Sequence, residues 1–93
     1  MIHAQSRPRL ASKARLRFDR RSGQYFCLYP ERGLRLNDSA AEILALCTGD
    51  HTVDAIVGRL LASRPRADHE AVARDVRAFL DAMVARALVH EGA

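Results

Sequence analysis

Residues 28–49 have the sequence LYPERGLRLNDSAAEILALCTG, and the spacing of the apolar residues changes within this segment. Leu34 and Leu36 occupy alternate positions, which is the period of a half-buried β-strand. Beyond Asn37 the apolar residues recur every three or four positions, which is the period of an amphipathic α-helix. The segment therefore predicts a strand that leads directly into a helix.

This helix has signals for both its start and its end. Ser39 and Glu42 form an S-x-x-E pattern, the capping box in which the hydroxyl accepts a hydrogen bond from a first-turn amide. Gly49 is placed to end the helix, because glycine adopts the left-handed conformation without strain. The apolar face of the helix consists of Ala40, Ile43, Leu44 and Cys47.

Two further strands are predicted before this segment. Leu16 and Phe18 alternate with charged residues, and residues 25–29 (YFCLY) are rich in the aromatic residues that strands favour. Residues 30–33 predict a tight turn, because they combine a proline of fixed φ with Gly33, which can take a positive φ. Three strands on such short connections form an antiparallel meander.

Two more helices are predicted after residue 50. Thr52 can cap a second helix, which Pro65 stops because proline disfavours helical geometry at the residue before it. Asp68 can cap a third and longest helix. Its apolar stripe consists of Val72, Val76, Phe79, Leu80, Met83 and Val84. Residues 88–90 form either a short terminal strand or a frayed helix end.

The order of these elements predicts an α+β domain, with a three-stranded antiparallel meander followed by a three-helix bundle. The elements are those of a winged helix-turn-helix, permuted so that the wing comes first. Residues 1–12 lack periodicity and are expected to form a flexible basic arm, and residues 13–93 a single domain. A chain of 93 residues has room for one core but little room for a deep catalytic cleft as well.

Several function classes lack their sequence signals. No G-x-G-x-x-G loop occurs, and none of the four histidines pairs with another ligand at a metal-binding spacing. Cys27 and Cys47 lie in apolar patterns, which predicts buried, reduced thiols rather than a disulfide or a nucleophile. No apolar run is long enough to span a bilayer or to act as a secretory signal. We therefore expect a cytoplasmic protein without a metal, a cofactor or catalytic activity.

Positive charge is concentrated in the first part of the chain. Residues 1–35 hold nine basic and two acidic side chains, whereas the net charge of the whole chain is +4. Such an asymmetry either solubilises the domain or attracts nucleic acid, a membrane surface or an acidic polypeptide. The third helix begins with Asp68, His69 and Glu70, although a DNA recognition helix needs residues that donate to base edges. Winged-helix DNA binding is therefore the alternative function, and we favour a protein that binds neither nucleic acid nor a membrane.

The third predicted strand lies at an edge of the meander. The backbone groups of residues 34–37 would then be a template for a further strand, which is the basis of peptide binding by strand addition. The same edge could instead be covered by the arm, or by a second copy of the chain in a homodimer formed by strand exchange. The residues alone leave these alternatives open.

Residues 28–49 also resemble the PqqD family, the pyrroloquinoline quinone biosynthesis protein D. The resemblance rests on the Tyr-Pro-Glu turn, on Leu36-Asn37, and on Ala40-Ala41-Glu42-Ile43-Leu44 leading into Leu46-Cys47 and Gly49. Length and element order are similar too, so the resemblance covers residues 10–90. Thr48 departs from the pattern at a helix end, where an acidic residue is expected.

The resemblance implies a peptide chaperone that acts as a recognition element for ribosomally made, modified peptides. Such proteins hold the precursor peptide as an added strand and present it to a radical S-adenosylmethionine enzyme, and they perform no chemistry themselves. By position, the third strand and the third helix would form the peptide site. Together with the helical wheel, this predicts the peptide-binding residues Leu34, Arg35, Leu36, Asn37, Arg77, Leu80, Asp81 and Val84.

Overall fold

The computed structural model describes residues 1–92, so Ala93, the last residue of the predicted domain, lies outside the described residues. In chain order, the elements are β1 (Arg9–Leu10), β2 (Arg15–Asp19), β3 (Gln24–Tyr29), β4 (Arg32–Leu36), α1 (Asp38–Ala45), α2 (Val53–Ala62), α3 (His69–Ala85) and β5 (Val89–His90). The predicted α+β architecture is confirmed. No helix within residues 1–92 is both long and apolar enough to cross a bilayer.

The main sheet is the predicted meander, an antiparallel sheet with the strand order β2-β3-β4. Phe26, in the central strand, lies opposite Arg17 on one side and Arg35 on the other. The turn between β3 and β4 consists of Pro30 and Glu31 alone. The positive φ of this turn belongs to Glu31, at 71°, and not to Gly33 as the sequence suggested. Proline followed by a residue of positive φ is typical of a type II turn.

The first helix begins two residues earlier than the capping box predicts. Asn37 is its N-cap, and the Oδ1 atom of Asn37 accepts a hydrogen bond of 2.8 Å from the backbone N–H of Ala40. The prediction that Ser39 caps the helix is therefore wrong. Because β4 ends at Leu36, Asn37 is already extended and in place to act as the cap.

The other helix boundaries agree better with the sequence. Thr52 Oγ1 accepts a hydrogen bond of 3.1 Å from the N–H of Ala55, and Asp68 Oδ2 accepts one of 3.1 Å from the N–H of Ala71, so both predicted caps are confirmed. Gly49 does not end α1, whose C-cap is Leu46. Gly49 adopts a φ of 88° further along, where its N–H donates to the carbonyl of Pro8.

One core joins the sheet to the helices. The helix α1 contacts all three strands of the meander and covers the face on which Cys27 and Leu36 lie. The helices α2 and α3 pack against each other behind α1. Cys27, Ile56 and Leu80 are completely buried, so the core extends from the sheet through α2 to α3.

The first twelve residues pack against this core, in contrast to the flexible arm that their lack of periodicity suggested. Ile2, Ser6, Pro8 and Ala11 are all buried. Much of the attachment is through the backbone: the N–H groups of Val53 and Asp54, in the first turn of α2, donate to carbonyls of this segment at 2.8 and 3.0 Å. Backbone contacts of this kind leave no apolar period in a sequence. The segment also supplies β1, which pairs with β5.

The position of the α1 cap leads to a stability test with a matched control. We expect Asn37→Ala to lower the free energy of unfolding by about 1 kcal/mol, because it removes the acceptor for the Ala40 amide. Ser39→Ala removes an exposed hydroxyl that accepts a solvent-exposed hydrogen bond from Arg64, and it should cost less than about 0.5 kcal/mol. Urea denaturation of both variants measures the difference, and a larger loss in Ser39→Ala would contradict the assignment of the cap.

Candidate functional site

The outer edge of β4 is open within residues 1–92, since β3 is the only strand that pairs with it there. The two-residue turn makes Tyr29 and Arg32 the hydrogen-bonded pair that closes the hairpin. Because hydrogen-bonded and non-hydrogen-bonded pairs alternate in an antiparallel ladder, Leu34 and Leu36 also bond to β3. The N–H and C=O groups of Gly33 and Arg35 therefore face away from the sheet.

An apolar cleft begins where this edge ends. It lies between the start of α1, the end of α2 and the first half of α3, and it encloses about 390 Å³. Its apolar wall on α3 consists of Val72, Val76 and Phe79, while Ile43 of α1 and Leu60 of α2 line the other side. Val72 and Phe79 are only partly buried, so they can still lose exposed surface to a ligand.

Arg64 holds one rim of the cleft in place. Its Nη1 atom donates to Glu42 Oε2 at 2.9 Å, and its Nη2 atom donates to Ser39 Oγ at 3.1 Å. The Nη1 atom also donates to the carbonyl oxygen of Leu60 at 3.3 Å. Ser39 and Glu42, which the sequence assigned to a capping box, thus bind Arg64, two residues beyond the end of α2. This link fixes the distance between α1 and the end of α2.

A second, shallower depression continues from the cleft towards the sheet. It is lined by Gln24, Arg35, Leu36 and Asn37, among others, and Asn37 also lines the cleft. The two depressions adjoin at Asn37, beside the end of β4, and are together called the trough. An extended chain lying along the outward-facing backbone of β4 would enter the apolar cleft at its end.

Of the four site residues predicted on the third strand, Arg35, Leu36 and Asn37 line this trough and Leu34 does not. Leu34 is half-buried, Arg35 is exposed and Leu36 is buried, as the alternation of a strand requires. Asn37 lies just past the strand, where its side chain caps α1. Among the three strand residues, Leu34, Arg35 and Leu36, only Arg35 presents both a free backbone edge and a solvent-exposed side chain.

The four residues predicted on the third helix lie elsewhere. Leu80 is completely buried in the core, and Asp81 Oδ1 accepts a hydrogen bond of 2.8 Å from the N–H of Ile2. Arg77 is exposed and Val84 is half-buried, but neither lines the cleft. The helical wheel could not show which side of α3 lines the cleft, because valines lie on both sides of the helix. The predicted apolar stripe from Val72 to Val84 includes residues of both sides, so its spacing does not separate them.

The outer face of the sheet is strongly basic. Arg17, Phe26 and Arg35 form one cross-strand row, and directly opposite residues lie on the same face. None of the ion pairs within residues 1–92 involves Arg17 or Arg35. The nearby carboxylate of Asp19 is held in its own loop by the Ser22 hydroxyl, which lowers the pKa of Asp19 below its usual value.

The two cysteines are part of the core. Burial raises the pKa of Cys27, and it raises the pKa of Cys47 to about 12, which keeps both thiols protonated near neutral pH. The Cys47 thiol donates to the carbonyl of Ile43 at 3.3 Å. The part of the chain that the structure describes contains no group of three or more potential metal ligands.

Comparison with protein families gives one match over most of the chain. Residues 24–89 match the family described as coenzyme PQQ synthesis protein D (PqqD). This range starts at β3 and ends in β5, so it contains the β4 edge and the whole cleft.

Similar proteins are named for the binding of PqqA. A "PqqA binding protein" of Rhodopseudomonas palustris strain BisB5 is 40% identical over 86 residues, covering 92% of this chain and 83% of the relative. One from Methylococcus capsulatus is 32% identical and covers 88% of this chain and 85% of the relative. A solution NMR structure of the PqqD truncation of Methylobacterium extorquens PqqCD has a TM-score of 0.83 at 29% identity, and the match covers 97% of this chain and 95% of that one. That protein is described as a functional, stand-alone recognition element for ribosomally synthesised, post-translationally modified peptides.

The raised pKa of Cys47 predicts a loss of stability in alkali. Between about pH 9 and 12 the folded state keeps this proton while the unfolded state releases it, so the free energy of unfolding falls as the pH rises. Denaturation at about pH 8 and at about pH 10.5 measures this fall, which should be smaller in Cys47→Ala. An equal fall in the variant would show that other groups cause it.

Proposed function

The chain belongs to the PqqD family, coenzyme PQQ synthesis protein D, and on this premise we propose that it is a non-catalytic peptide chaperone. In this proposal it binds the ribosomal precursor peptide of pyrroloquinoline quinone and presents it to a radical S-adenosylmethionine enzyme in the cytoplasm. The names of its relatives and the description of the similar NMR structure support peptide binding. The observation that carries the proposal is the open edge of β4 beside an apolar cleft.

The proposed binding mode is the addition of the peptide as a fourth strand. The outward-facing groups of Gly33 and Arg35 provide two donors and two acceptors, hence four ladder hydrogen bonds. At about 0.5–1.5 kcal/mol each, these contribute about 2–6 kcal/mol. Ordering a disordered peptide costs about 2–5 kcal/mol, so backbone pairing alone would leave the complex weak.

The apolar cleft supplies the remaining free energy in this proposal. Burial of roughly 300 Å² of apolar surface contributes about 7 kcal/mol at about 25 cal/mol per Å². Val72 and Phe79 are the partly exposed apolar residues of α3 that line the cleft. We therefore propose that they contact the peptide together with Leu34, Arg35, Leu36 and Asn37.

The residues Arg77, Leu80, Asp81 and Val84 stay a prediction from sequence. Their contact with the peptide would need a second binding face on α3, away from the cleft. Leu80 and Asp81 are already engaged, in the core and with Ile2 respectively. The geometry thus favours the Val72 flank of α3 as the wall of the site.

The same edge also offers a route to self-association. We propose that two copies can pair through β4 when no peptide is present, because an unpaired edge is a template for any strand. The homodimer would then compete with the peptide for the backbone of Gly33 and Arg35. The exposed charges of Arg32 and Arg35 oppose such pairing and keep it weak.

Strand addition predicts that the backbone amide of Arg35 matters. We expect Arg35→Pro to raise the Kd of the precursor peptide about tenfold beyond the effect of Arg35→Ala, because proline removes a donor and its ring obstructs the edge. The matched control is Phe18→Pro, which removes an outward-facing amide at the opposite edge of the same sheet. Calorimetric titration measures all three affinities. Light scattering at the same concentrations shows whether any dimer competes with the peptide.

Two outcomes of this experiment would count against strand addition. One is an unchanged affinity in Arg35→Pro, and the other is an equal loss in Phe18→Pro. A two-dimensional NMR spectrum of each variant confirms that the meander is folded, since edge positions whose amide faces solvent tolerate proline.

Two equivalent truncations can test which side of α3 contacts the peptide: the side of Val72, which lines the cleft, or the side of Val84, which the sequence predicted. Val72 and Val84 are both partly buried, but only Val72 lines the cleft. We expect Val72→Ala to weaken binding of the precursor peptide about fivefold, for the loss of two methyl groups from a partly buried contact. Val84→Ala should leave the affinity unchanged. The reverse result would support the flank predicted from sequence.

A further inference from the structure

Arg35 is placed to contact an added strand with its side chain as well as with its backbone. It is exposed, it lies on the face of the sheet away from α1, and its row continues through Phe26 to Arg17. This inference rests on the proposed function, because it concerns the sequence of a peptide bound along β4.

The register of a β-sheet decides which peptide side chains Arg35 can reach. Residues that lie opposite each other on neighbouring strands point to the same face, and their Cβ atoms are about 4.5–5.5 Å apart. The peptide residue opposite Arg35 therefore lies on the outer, basic face. Its two neighbours point to the opposite face, which carries Leu34 and Leu36 and is covered by α1, one wall of the cleft.

The guanidinium group of Arg35 has no carboxylate partner within residues 1–92. Phe26 is half-buried beside it and provides an apolar surface for the aliphatic part of the arginine side chain. Arg17, on the far side of Phe26, adds positive potential to the same row. An arginine arranged in this way favours an anionic group on the neighbouring strand.

We propose that the peptide segment held by β4 contains an apolar–acidic–apolar triplet, in which the acidic residue pairs with Arg35. The two apolar residues face inwards, towards Leu34, Leu36 and the cleft. Backbone pairing holds any sequence, so the triplet sets the register of the peptide on the strand. A slip by one residue would turn the carboxylate towards the apolar face and the apolar residues towards the arginines.

The experiment combines variants of the protein with variants of the precursor peptide. Each Asp and Glu of the peptide is changed singly to Lys, and the Kd of every peptide is measured against wild-type protein and against Arg35→Glu. We expect Arg35→Glu to raise the Kd of the unchanged peptide about tenfold, and Arg35→Ala about threefold. One of the peptides with Lys in place of an acidic residue should bind weakly to the wild-type protein. The same peptide should bind to Arg35→Glu about as tightly as the unchanged peptide binds to the wild type.

Arg32→Glu is the matched control, since it makes the same change of charge on the same strand. Arg32 shares a face with Leu34 and so lies on the other side of the sheet from Arg35. At about 0.15 M salt, where charges more than about 8 Å apart are largely screened, its effect on the Kd should stay below about twofold. Circular dichroism shows whether each charge variant keeps the fold.

The possible results separate this inference from the proposed function. If the wild type binds the precursor and Arg35→Glu binds it equally well, the triplet is overturned while strand addition stands. The same holds if no Lys peptide regains affinity, or if Arg32→Glu and Arg35→Glu have equal effects. If the wild type does not bind the precursor at all, the proposed function fails and this inference fails with it.

Discussion

The open edge of β4 is the constraint on which the other elements depend. Unpaired backbone groups on an edge strand pair readily with any available strand, so a stable protein must limit the length and the accessibility of that edge. Here β4 has five residues, and a two-residue turn closes it at one end. At the other end Asn37 starts α1 directly, so the chain leaves the sheet without covering the edge.

The rest of the fold keeps the apolar cleft next to this edge. Arg64 connects the end of α2 to Ser39 and Glu42 of α1, which fixes one rim. Two backbone N–H groups in the first turn of α2 donate hydrogen bonds to carbonyl groups of the N-terminal segment. Asp81 of α3 holds the same segment by accepting a hydrogen bond from the N–H of Ile2. Contacts far from the cleft therefore set the positions of the helices that line it.

The sequence predicted the elements whose signals are local and missed the features set by distant partners. Strand alternation and helix periodicity lie within one segment, and so do the caps Thr52 and Asp68. The choice between Asn37 and Ser39 as the cap is different, because Ser39 is bound by Arg64, 25 positions away. The N-terminal segment packs largely through backbone groups, and the flank of α3 depends on how the helix lies against α1. Neither leaves a periodic signal.

The two edges of the meander show why an unpaired strand is not enough for a specific site. Leu16 and Phe18 of β2 also expose outward-facing backbone groups, and the groove beside them is lined by Leu16, Tyr25, Ala41 and Ala45. Two carboxylates, Asp38 and Glu42, lie on its rim, and its apolar contacts with α1 are short alanines. The β4 edge leads instead to a wall of Val72, Val76 and Phe79. Because ladder hydrogen bonds are nearly the same at both edges, the larger apolar side chains beside β4 are what can direct a peptide there.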